Sequence, residues 1–177
     1  MTLTQVLSFN QKNVFVGRSP KNYGFSYFAK KNFKKGDIVM SGFGKILDHQ
    51  TSHCSVQIDK AKHYLPQKWT GKYWNHSCDP NSYMHTRPDG FPNLIALKTI
   101  PKDSEITYSY WMSEYAWSPK ADEVHVICKC GSKKCKKKIL SFSQLNTRDK
   151  DHLVTKKLCE KYLCTLWNSS IKKIIKV

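Results

Sequence analysis

The chain has 177 residues and a formal net charge of +17, with 40% hydrophobic and 24% charged residues. That length suits one domain with a buried core, and the hydrophobic share excludes a chain that is disordered throughout. The sequence has no apolar run of membrane-spanning length, and the first residues lack the pattern of a secretion signal, so we expect an intracellular protein without membrane contact. The positive charge predicts an acidic partner such as DNA or a nucleosome, unless the lysines only solvate the surface.

Short strand patterns follow one another through most of the chain. Apolar runs or alternations bounded by turn residues occur at 14–16, 25–29, 37–40, 43–47, 54–58, 94–97 and 105–110. No pattern of long helices connects them as parallel strands would require. The sequence therefore predicts a mainly β fold made of small sheets.

Helical periodicity replaces the strand pattern near the C-terminus. Apolar residues recur there at helical spacing at Leu153, Val154, Leu158, Tyr162, Leu163 and Leu166. We expect one amphipathic helix, capped by Asp149 or Asp151, that packs on the domain. Cys159 and Cys164 are expected to be core thiols, because they lie five positions apart and do not share a helix face.

Three cysteines lie close together at Cys128, Cys130 and Cys135, on a segment that also contains Gly131. Three thiolates leave a tetrahedral zinc ion one ligand short. The seven cysteines are odd in number and clustered, which favours a metal in a reducing compartment over a disulfide framework. The alternative is a set of unlinked reduced thiols, which would be readily oxidised beside so many lysines.

The fourth ligand has four candidates, which are Cys54, Cys78, Cys159 and Cys164. We choose Cys78, because the turn at Asp79-Pro80-Asn81 follows it and holds the thiol in a fixed position. Cys78 also belongs to the stretch 73–81, Tyr-Trp-Asn-His-Ser-Cys-Asp-Pro-Asn, which brings amide, imidazole, hydroxyl and thiol groups together.

Three segments in order carry a family resemblance. They are 75–81 (Asn-His-Ser-Cys-Asp-Pro-Asn), 103–110 (Asp-Ser-Glu-Ile-Thr-Tyr-Ser-Tyr) and the three clustered cysteines, with weaker support from 24–29 followed by Gly36. On these segments the chain resembles the SET-domain protein lysine methyltransferases that have a cysteine-rich post-SET zinc motif. The resemblance implies a SET domain at 12–112, a post-SET zinc motif at 124–140 and a C-terminal helical extension at 141–177.

The resemblance also implies a fold and a set of site residues. Small β-sheets would surround a pseudoknot in which the segment beginning at Asn75 lies beside the segment ending at Tyr110. The methyl donor would be S-adenosyl-L-methionine, and Zn²⁺ would be held by Cys78, Cys128, Cys130 and Cys135. Tyr110 and Tyr108 match the catalytic positions. The donor would be bound by Gly24, Phe25, Ser26, Tyr73, Asn75, His76, Tyr110 and Ile139, with Ile139 against the adenine.

The chemistry suits these residue types. A channel walled by Tyr108, Tyr110 and Trp111 would hold a substrate lysine in line with the methyl group. The amine must lose a proton first, and burial in an apolar channel lowers its pKa from about 10.4. Tyr108 lies where the family carries Phe or Tyr, and a tyrosine there favours mono- or dimethylation.

Four positions depart from the family pattern. Ser26 replaces a glycine, Gly42 replaces an active-site tyrosine, Ser109 replaces an aspartate and Lys137 stands where a glycine is common. We expect Ser26 to be tolerated if its φ is negative. At Gly42 the missing hydroxyl would loosen the substrate lysine, and we expect Phe43 to replace part of the bulk.

The substrate is expected to be a histone tail or another basic protein, although a positively charged enzyme repels such a peptide unless its groove is locally acidic. Candidates for an acidic rim are Glu105, Glu114, Asp122 and Glu123. The basic surface would alternatively hold nucleosomal DNA. The competing function is a catalytically weak SET-like zinc module that binds chromatin or nucleic acid. A histone substrate implies a nuclear, chromatin-bound protein and another substrate implies the cytoplasm, while the oligomeric state stays open.

Overall fold

The computed structural model describes residues 1–21, 24–116 and 127–174, with side chains up to residue 171 at the C-terminal end. The described part contains α1 (Leu3–Asn13), β1 (Val14–Arg18), β2 (Phe25–Ala29), β3 (Ile38–Ser41), β4 (Gly44–Leu47), β5 (Val56–Asp59), β6 (Lys62–Pro66), β7 (Asn75–His76), β8 (Ser82–Thr86), β9 (Pro92–Ala96), β10 (Thr107–Tyr108), a 3₁₀ helix (Tyr110–Met112), α2 (Thr147–Thr155) and α3 (Lys161–Ile174). The predicted mainly β fold of small sheets is confirmed.

The strands form four small sheets. β1 pairs with β2, β9 lies between β3 and β8, and β6 lies between β4 and β5, all antiparallel. The fourth sheet is the parallel pair β7–β10, in which Asn75 is opposite Thr107 and His76 is opposite Tyr108. This pair brings together two segments that are more than thirty residues apart in sequence, as the pseudoknot prediction requires.

Two apolar clusters hold the sheets together. The first lies between the sheets and contains fully buried side chains such as Tyr27, Phe33, Tyr64 and Tyr108. The second lies between the 3₁₀ helix, the cysteine segment and the C-terminal helices, and includes Trp111 and Phe142. The cysteine segment and the C-terminal helices therefore pack against each other as well as against the strands.

The N-terminal helix α1 was not predicted from the sequence. Thr2 and Gln5 form a capping box, in which the Thr2 hydroxyl accepts from the Gln5 N–H at 3.3 Å and the Gln5 side chain accepts from the Thr2 N–H at 2.8 Å. The buried Asn10 amide fixes the helix to β3 through two bonds to the Ser41 backbone, at 2.8 and 2.9 Å.

The C-terminal region differs from its prediction, because two helices replace the single one. The chain leaves α2 at Lys156 and Lys157 has a φ of +54°, which ends a right-handed helix. The cap is also different, since Asn146 accepts from the Asp149 N–H at 2.8 Å and Asp149 lies inside the first turn. Cys159 is buried as expected, and because it precedes α3 its sulfur lies 3.5 Å from that of Cys164.

In the part of the chain that the structure describes, the helices are too short or too polar to cross a membrane.

Candidate functional site

The parallel pair β7–β10 organises the site. The Ser77 N–H donates to the Tyr108 carbonyl at 3.0 Å, and the Ser109 hydroxyl donates to the Ser77 carbonyl at 2.6 Å. The serine that replaces the family's aspartate thus joins the two crossing segments directly. Tyr110 follows at once and starts the 3₁₀ helix, so its position depends on this crossing.

A cavity of about 300 Å³ opens beside the pair. Five predicted site residues line it, which are Phe25, Tyr73, Asn75, Tyr108 and Tyr110. Glu114, a candidate for the acidic rim, also lines it. The other lining residues were not predicted for the site, and they are Gln50, His53, Cys54, Ser55, Val56, Gly71, Lys72 and Trp74. Most of these lie on the connection before β5 and the turn before β7, where the sequence shows no motif.

Tyr108 and Tyr110 form one wall of the cavity. Their ring centroids are 5.2 Å apart, Tyr108 is buried, and the Tyr110 hydroxyl donates to the Trp74 carbonyl at 3.0 Å. Burial raises the pKa of both phenols above the ordinary value, so both stay neutral at physiological pH. Two fixed neutral hydroxyls next to aromatic rings can orient an amine without charging it.

The His76 ring lies behind this wall and connects it to the cysteines. Burial lowers the pKa of His76 to about 4, so the imidazole is neutral at pH 7. Its Nδ1 accepts from the Tyr110 N–H at 3.2 Å, which places the ring proton on Nε2, 3.4 Å from the Cys78 sulfur. A change at Cys78 therefore reaches the backbone of Tyr110 through one side chain.

The turn before β2 bears the predicted donor contacts. Gly24 has a φ of +83°, a conformation that favours glycine, whereas Ser26 has a negative φ and is buried in β2. The Asn75 amide donates to the Phe25 carbonyl at 3.0 Å and joins this turn to β7. The serine substitution at residue 26 is thus compatible with the backbone.

The four cysteines predicted to bind zinc lie close together. The sulfurs of Cys78, Cys128, Cys130 and Cys135 all lie within 4.8 Å of one another. The Cys78 and Cys128 sulfurs are 3.7 Å apart, and zinc–sulfur bonds of about 2.3 Å in a tetrahedron require a separation of about 3.8 Å. Of the candidates for the fourth position, Cys54 lines the cavity and Cys159 and Cys164 contact each other.

The surroundings of the sulfurs fit a metal site. Backbone N–H groups of Lys136 and Lys137 point at the sulfurs of Cys78 and Cys135, each at 3.4 Å. Burial raises the pKa of Cys78, whereas hydrogen bonds outweigh burial at Cys130 and lower its pKa to about 6. Four thiolates this close repel one another, and a divalent cation between them removes that cost.

Lys137 has a φ of +62°, in the region where glycine is normally found. Its carbonyl accepts from the Cys128 N–H at 2.9 Å, which closes the loop that carries the cysteines. This backbone angle explains why glycine is common at this position in the family. Lysine adopts the same angle here at a cost in conformational free energy.

A side chain at Gly42 would require its neighbours in this structure to move. A Cβ atom there would lie 2.8 Å from the Pro92 carbonyl oxygen and 3.0 Å from the Tyr64 hydroxyl. The Phe43 ring stacks on Phe91 at 4.9 Å and is not among the residues that line the cavity. Phe43 therefore does not replace the bulk of the family's tyrosine in the cavity, contrary to our expectation.

Four of the predicted donor-binding residues do not line the cavity. These are Gly24, Ser26, His76 and Ile139, the last of which packs against the second apolar cluster. Trp111 does not wall the channel, because it is buried behind His76, with a ring separation of 5.1 Å.

Of the four candidates for an acidic rim of the groove, Glu105 and Glu114 lie among the described residues, and both side chains are largely buried. Glu105 is mostly buried and pairs with Lys21 at 3.2 Å, and Glu114 is 4% exposed inside the cavity. Burial acts to raise the pKa of Glu105, but the hydroxyls of Ser26 and Ser19 and the Lys21 ammonium outweigh it and keep the pKa low. Asp122 and Glu123 lie outside the described residues.

Comparison with known proteins gives the same fold assignment as the geometry, which is a SET domain. The family model described as "SET domain" matches residues 24–111. Histone-lysine N-methyltransferase 2D of Homo sapiens is 25% identical over 146 residues, covering 72% of this chain and 2% of that protein. Histone-lysine N-methyltransferase, H3 lysine-9 specific KMT1, of Fusarium mangiferae is 32% identical over 100 residues, covering 51% of this chain and 28% of that protein. The chain thus spans less than a third of the length of these relatives.

Solved structures share the fold. KRYPTONITE, in a complex with mCHH DNA, an H3(1–15) peptide and SAH, superposes with a TM-score of 0.60 at 21% identity, covering 75% of this chain and 31% of that one. A second complex of KRYPTONITE, with mCHG DNA and SAH, gives a TM-score of 0.59 at 23% identity, covering 73% and 29%. The family model, the relatives, the shared fold and the cysteine cluster agree that residues 24–111 form a SET domain.

Proposed function

We propose that the protein is an S-adenosyl-L-methionine-dependent protein lysine N-methyltransferase that acts on a histone or another basic protein. The observation that carries the proposal is the meeting of Asn75, Tyr108 and Tyr110 around one cavity at the crossing of β7 and β10. The relatives named as histone-lysine N-methyltransferases support both the reaction and the substrate class.

The residues present fit the donor. The turn at Gly24 is open, since no heavy atom lies within 4 Å of a Cβ built there, and Phe25, Tyr73 and Asn75 line the adjoining cavity. These residues, with Ser26, His76, Tyr110 and Ile139, would hold the donor. When bound, the donor supplies an activated methyl group to the lysine nitrogen.

Tyr108 and Tyr110 position the substrate amine. Their rings confine the aliphatic part of the lysine, and their neutral hydroxyls accept from its N–H groups or hold a water molecule. A water held by the Tyr108 hydroxyl occupies the room that a further methyl group needs. We therefore propose that mono- or dimethylation is the main product.

The cysteine cluster would hold zinc as a structural ion. Four sulfur ligands leave no open position for a substrate, so the ion stabilises the fold and does not take part in the reaction. Residues 124–140 would form the zinc motif, of which 127–140 are described, between a SET domain at 12–112 and the helical extension at 141–177. The His76 contact with Cys78 would connect the ion to the donor side of the cavity.

The positive charge supports a role on chromatin. With a net charge of +17, the surface attracts nucleic acid in a salt-dependent manner, so nucleosomal DNA would hold the protein near histone tails. We propose a nuclear location if the substrate is a histone and a cytoplasmic one otherwise. The competing function, a catalytically weak zinc module that binds chromatin through its lysines, rests on the departure at Gly42.

Donor binding separates these two functions. Isothermal titration calorimetry should show that the protein binds S-adenosyl-L-methionine, and that Asn75→Ala weakens binding about tenfold, because the amide that joins β7 to the Phe25 turn is lost. Asn168→Ala, on the exposed side of α3, should bind like the wild type. Absence of donor binding in the zinc-loaded wild type would support the binding module instead.

A further inference from the structure

Glu114 is a buried carboxylate inside the candidate active site. It is 4% exposed and lines the same cavity as Tyr108 and Tyr110. Of the described residues that line this cavity, it is the only one with a carboxyl group.

Hydrogen bonds hold the Glu114 side chain in a defined orientation. Its Oε1 accepts from the Gln57 N–H at 2.8 Å and lies 3.4 Å from the Ser113 hydroxyl. The Gln57 side chain in turn accepts from the Tyr115 N–H at 2.9 Å, so both sides of the residue are fixed to β5. Within the described residues these bonds use Oε1 and leave Oε2 for a ligand.

No lysine or arginine of the described residues forms an ion pair with Glu114. A buried carboxylate without a cation is costly, and carboxylates perturbed in this way are concentrated at functional sites. The cation that the proposed function brings into this cavity is the ammonium group of the substrate lysine.

Resting on that proposed function, we propose that Glu114 binds the ammonium group of the substrate lysine and accepts its proton before methyl transfer. The lysine N–H bond breaks and an O–H bond forms on the Glu114 carboxylate. The electron pair of the broken bond stays on nitrogen as a lone pair, which leaves the lysine as an uncharged, nucleophilic amine. The proton then leaves Glu114 for solvent, so charge and atoms balance without a further reactant.

The acidity of the group suits this role. Burial raises the pKa of Glu114 to about 7, which makes it a far stronger base than an exposed carboxylate while it remains largely ionised at pH 8. The same burial lowers the pKa of a lysine in the cavity and brings the two values closer. The groups that face Glu114 are the phenols of Tyr108, Tyr110 and Tyr162, whose pKa values it helps to raise, and across the cavity His53, Cys54, Lys72 and Tyr73.

The first test measures binding without turnover. With S-adenosylhomocysteine present, an H3(1–15) peptide and its analogue with methionine in place of each lysine are titrated into the wild type and Glu114→Gln. The amide still accepts from the Gln57 N–H, so the fold is expected to persist. The quantity compared is the ratio of the affinity for the lysine peptide to that for the methionine peptide. We expect this ratio to be about tenfold larger for the wild type than for Glu114→Gln, because hydrogen bonds to charged groups are stronger than those to neutral ones.

The second test measures kcat/KM for core histones from pH 7.5 to 9.5. The wild type should change less than about threefold, because the enzyme removes the proton itself. Glu114→Gln must take the neutral amine from solution, so its rate should be about 100-fold lower at pH 8 and rise about tenfold per pH unit toward the lysine pKa of about 10.4. Glu114→Asp should recover part of the rate at pH 8, and Asp59→Asn, an exposed carboxylate-to-amide change, should match the wild type.

Each outcome is decisive. An equal loss at every pH, or an unchanged preference for the lysine peptide, would make Glu114 a structural residue and overturn the inference while the methyltransferase stands. A zinc-loaded wild type that binds donor but transfers no methyl group would overturn the inference together with the proposed function.

Discussion

Replacement of Cys78 by serine tests how the metal and the active site depend on each other. The four sulfurs lie within 4.8 Å of one another, so we treat them as equivalent ligands. Structural zinc sites contribute about 10–16 kcal/mol, which is roughly 2.5–4 kcal/mol for each of four ligands. The loss of one thiolate should therefore weaken zinc binding about 100-fold to 1000-fold.

The same substitution should reach the donor site. The Cys78 sulfur lies 3.4 Å from His76 Nε2, and His76 Nδ1 accepts from the Tyr110 N–H. When zinc leaves, His76 loses the partner that fixes its orientation and Tyr110 loses its support. We expect donor affinity to fall at least about tenfold.

The assay is competition for zinc with a chromophoric chelator, followed by donor titration of the same samples. Cys164→Ser is the matched control, because this thiol contacts Cys159 and lies outside the cluster. Wild-type zinc affinity in Cys78→Ser would refute the ligand assignment. Zinc loss with unchanged donor affinity would refute the coupling through His76.

Two further predictions concern stability. Tyr64→Phe removes a buried hydroxyl that accepts from the Phe43 N–H at 3.1 Å. This loss should cost about 1–3 kcal/mol of folding free energy and lower Tm by roughly 3–10 °C in a thermal melt. The control is Tyr115→Phe, at a half-exposed tyrosine, which should leave Tm unchanged, and equal Tm values for the two variants would contradict the prediction. Burial raises the pKa of Glu160 to about 8, so the folded state keeps a proton that the unfolded state releases near pH 4.5, and the wild type loses stability as pH rises between these values. Glu160→Gln should therefore gain stability over the wild type, on the order of 3 kcal/mol, between pH 5 and pH 9 in urea denaturation, and a difference that does not change with pH would count against this account.

The strands and the site motifs could be predicted from the sequence because their signals are local. The run 25–29 alternates as a strand does and forms β2, and the run 54–58 overlaps β5. The position of Cys78 in the cluster could be predicted from the turn at Pro80, which follows it directly. The crossing of β7 and β10, in contrast, is a long-range pairing, and it came only from the family resemblance.

Other features depend on contacts that local patterns do not show. Glu114 lies on a polar stretch and looks exposed in sequence, but a bond from Gln57, 57 residues earlier, holds it inside the cavity. The consequence of Gly42 depends on Pro92 and Tyr64, which fill the space beside it. The break at Lys157 has no glycine or proline to mark it.

The helix α1 is a different case, because its signal was present. Thr2 and Gln5 have the spacing of a capping box, and the buried residues of the helix are Val6, Asn10 and Asn13. Leu3, Val6 and Leu7 have helical spacing, but the next position on that face is the polar Asn10, so the apolar pattern is short. At Asn10, where an amphipathic helix would place an apolar side chain, the amide forms two hydrogen bonds to β3 instead.

The measurement that tests the central claim most directly is methyl transfer from labelled S-adenosyl-L-methionine to core histones, assembled nucleosomes and a total cell lysate, with Tyr110→Phe in parallel. The account predicts label on a protein band with the wild type and its loss with the variant, while zinc content and donor affinity stay nearly the same. Absence of label in every pool from a zinc-loaded, donor-binding wild type, or equal labelling by Tyr110→Phe, would contradict it.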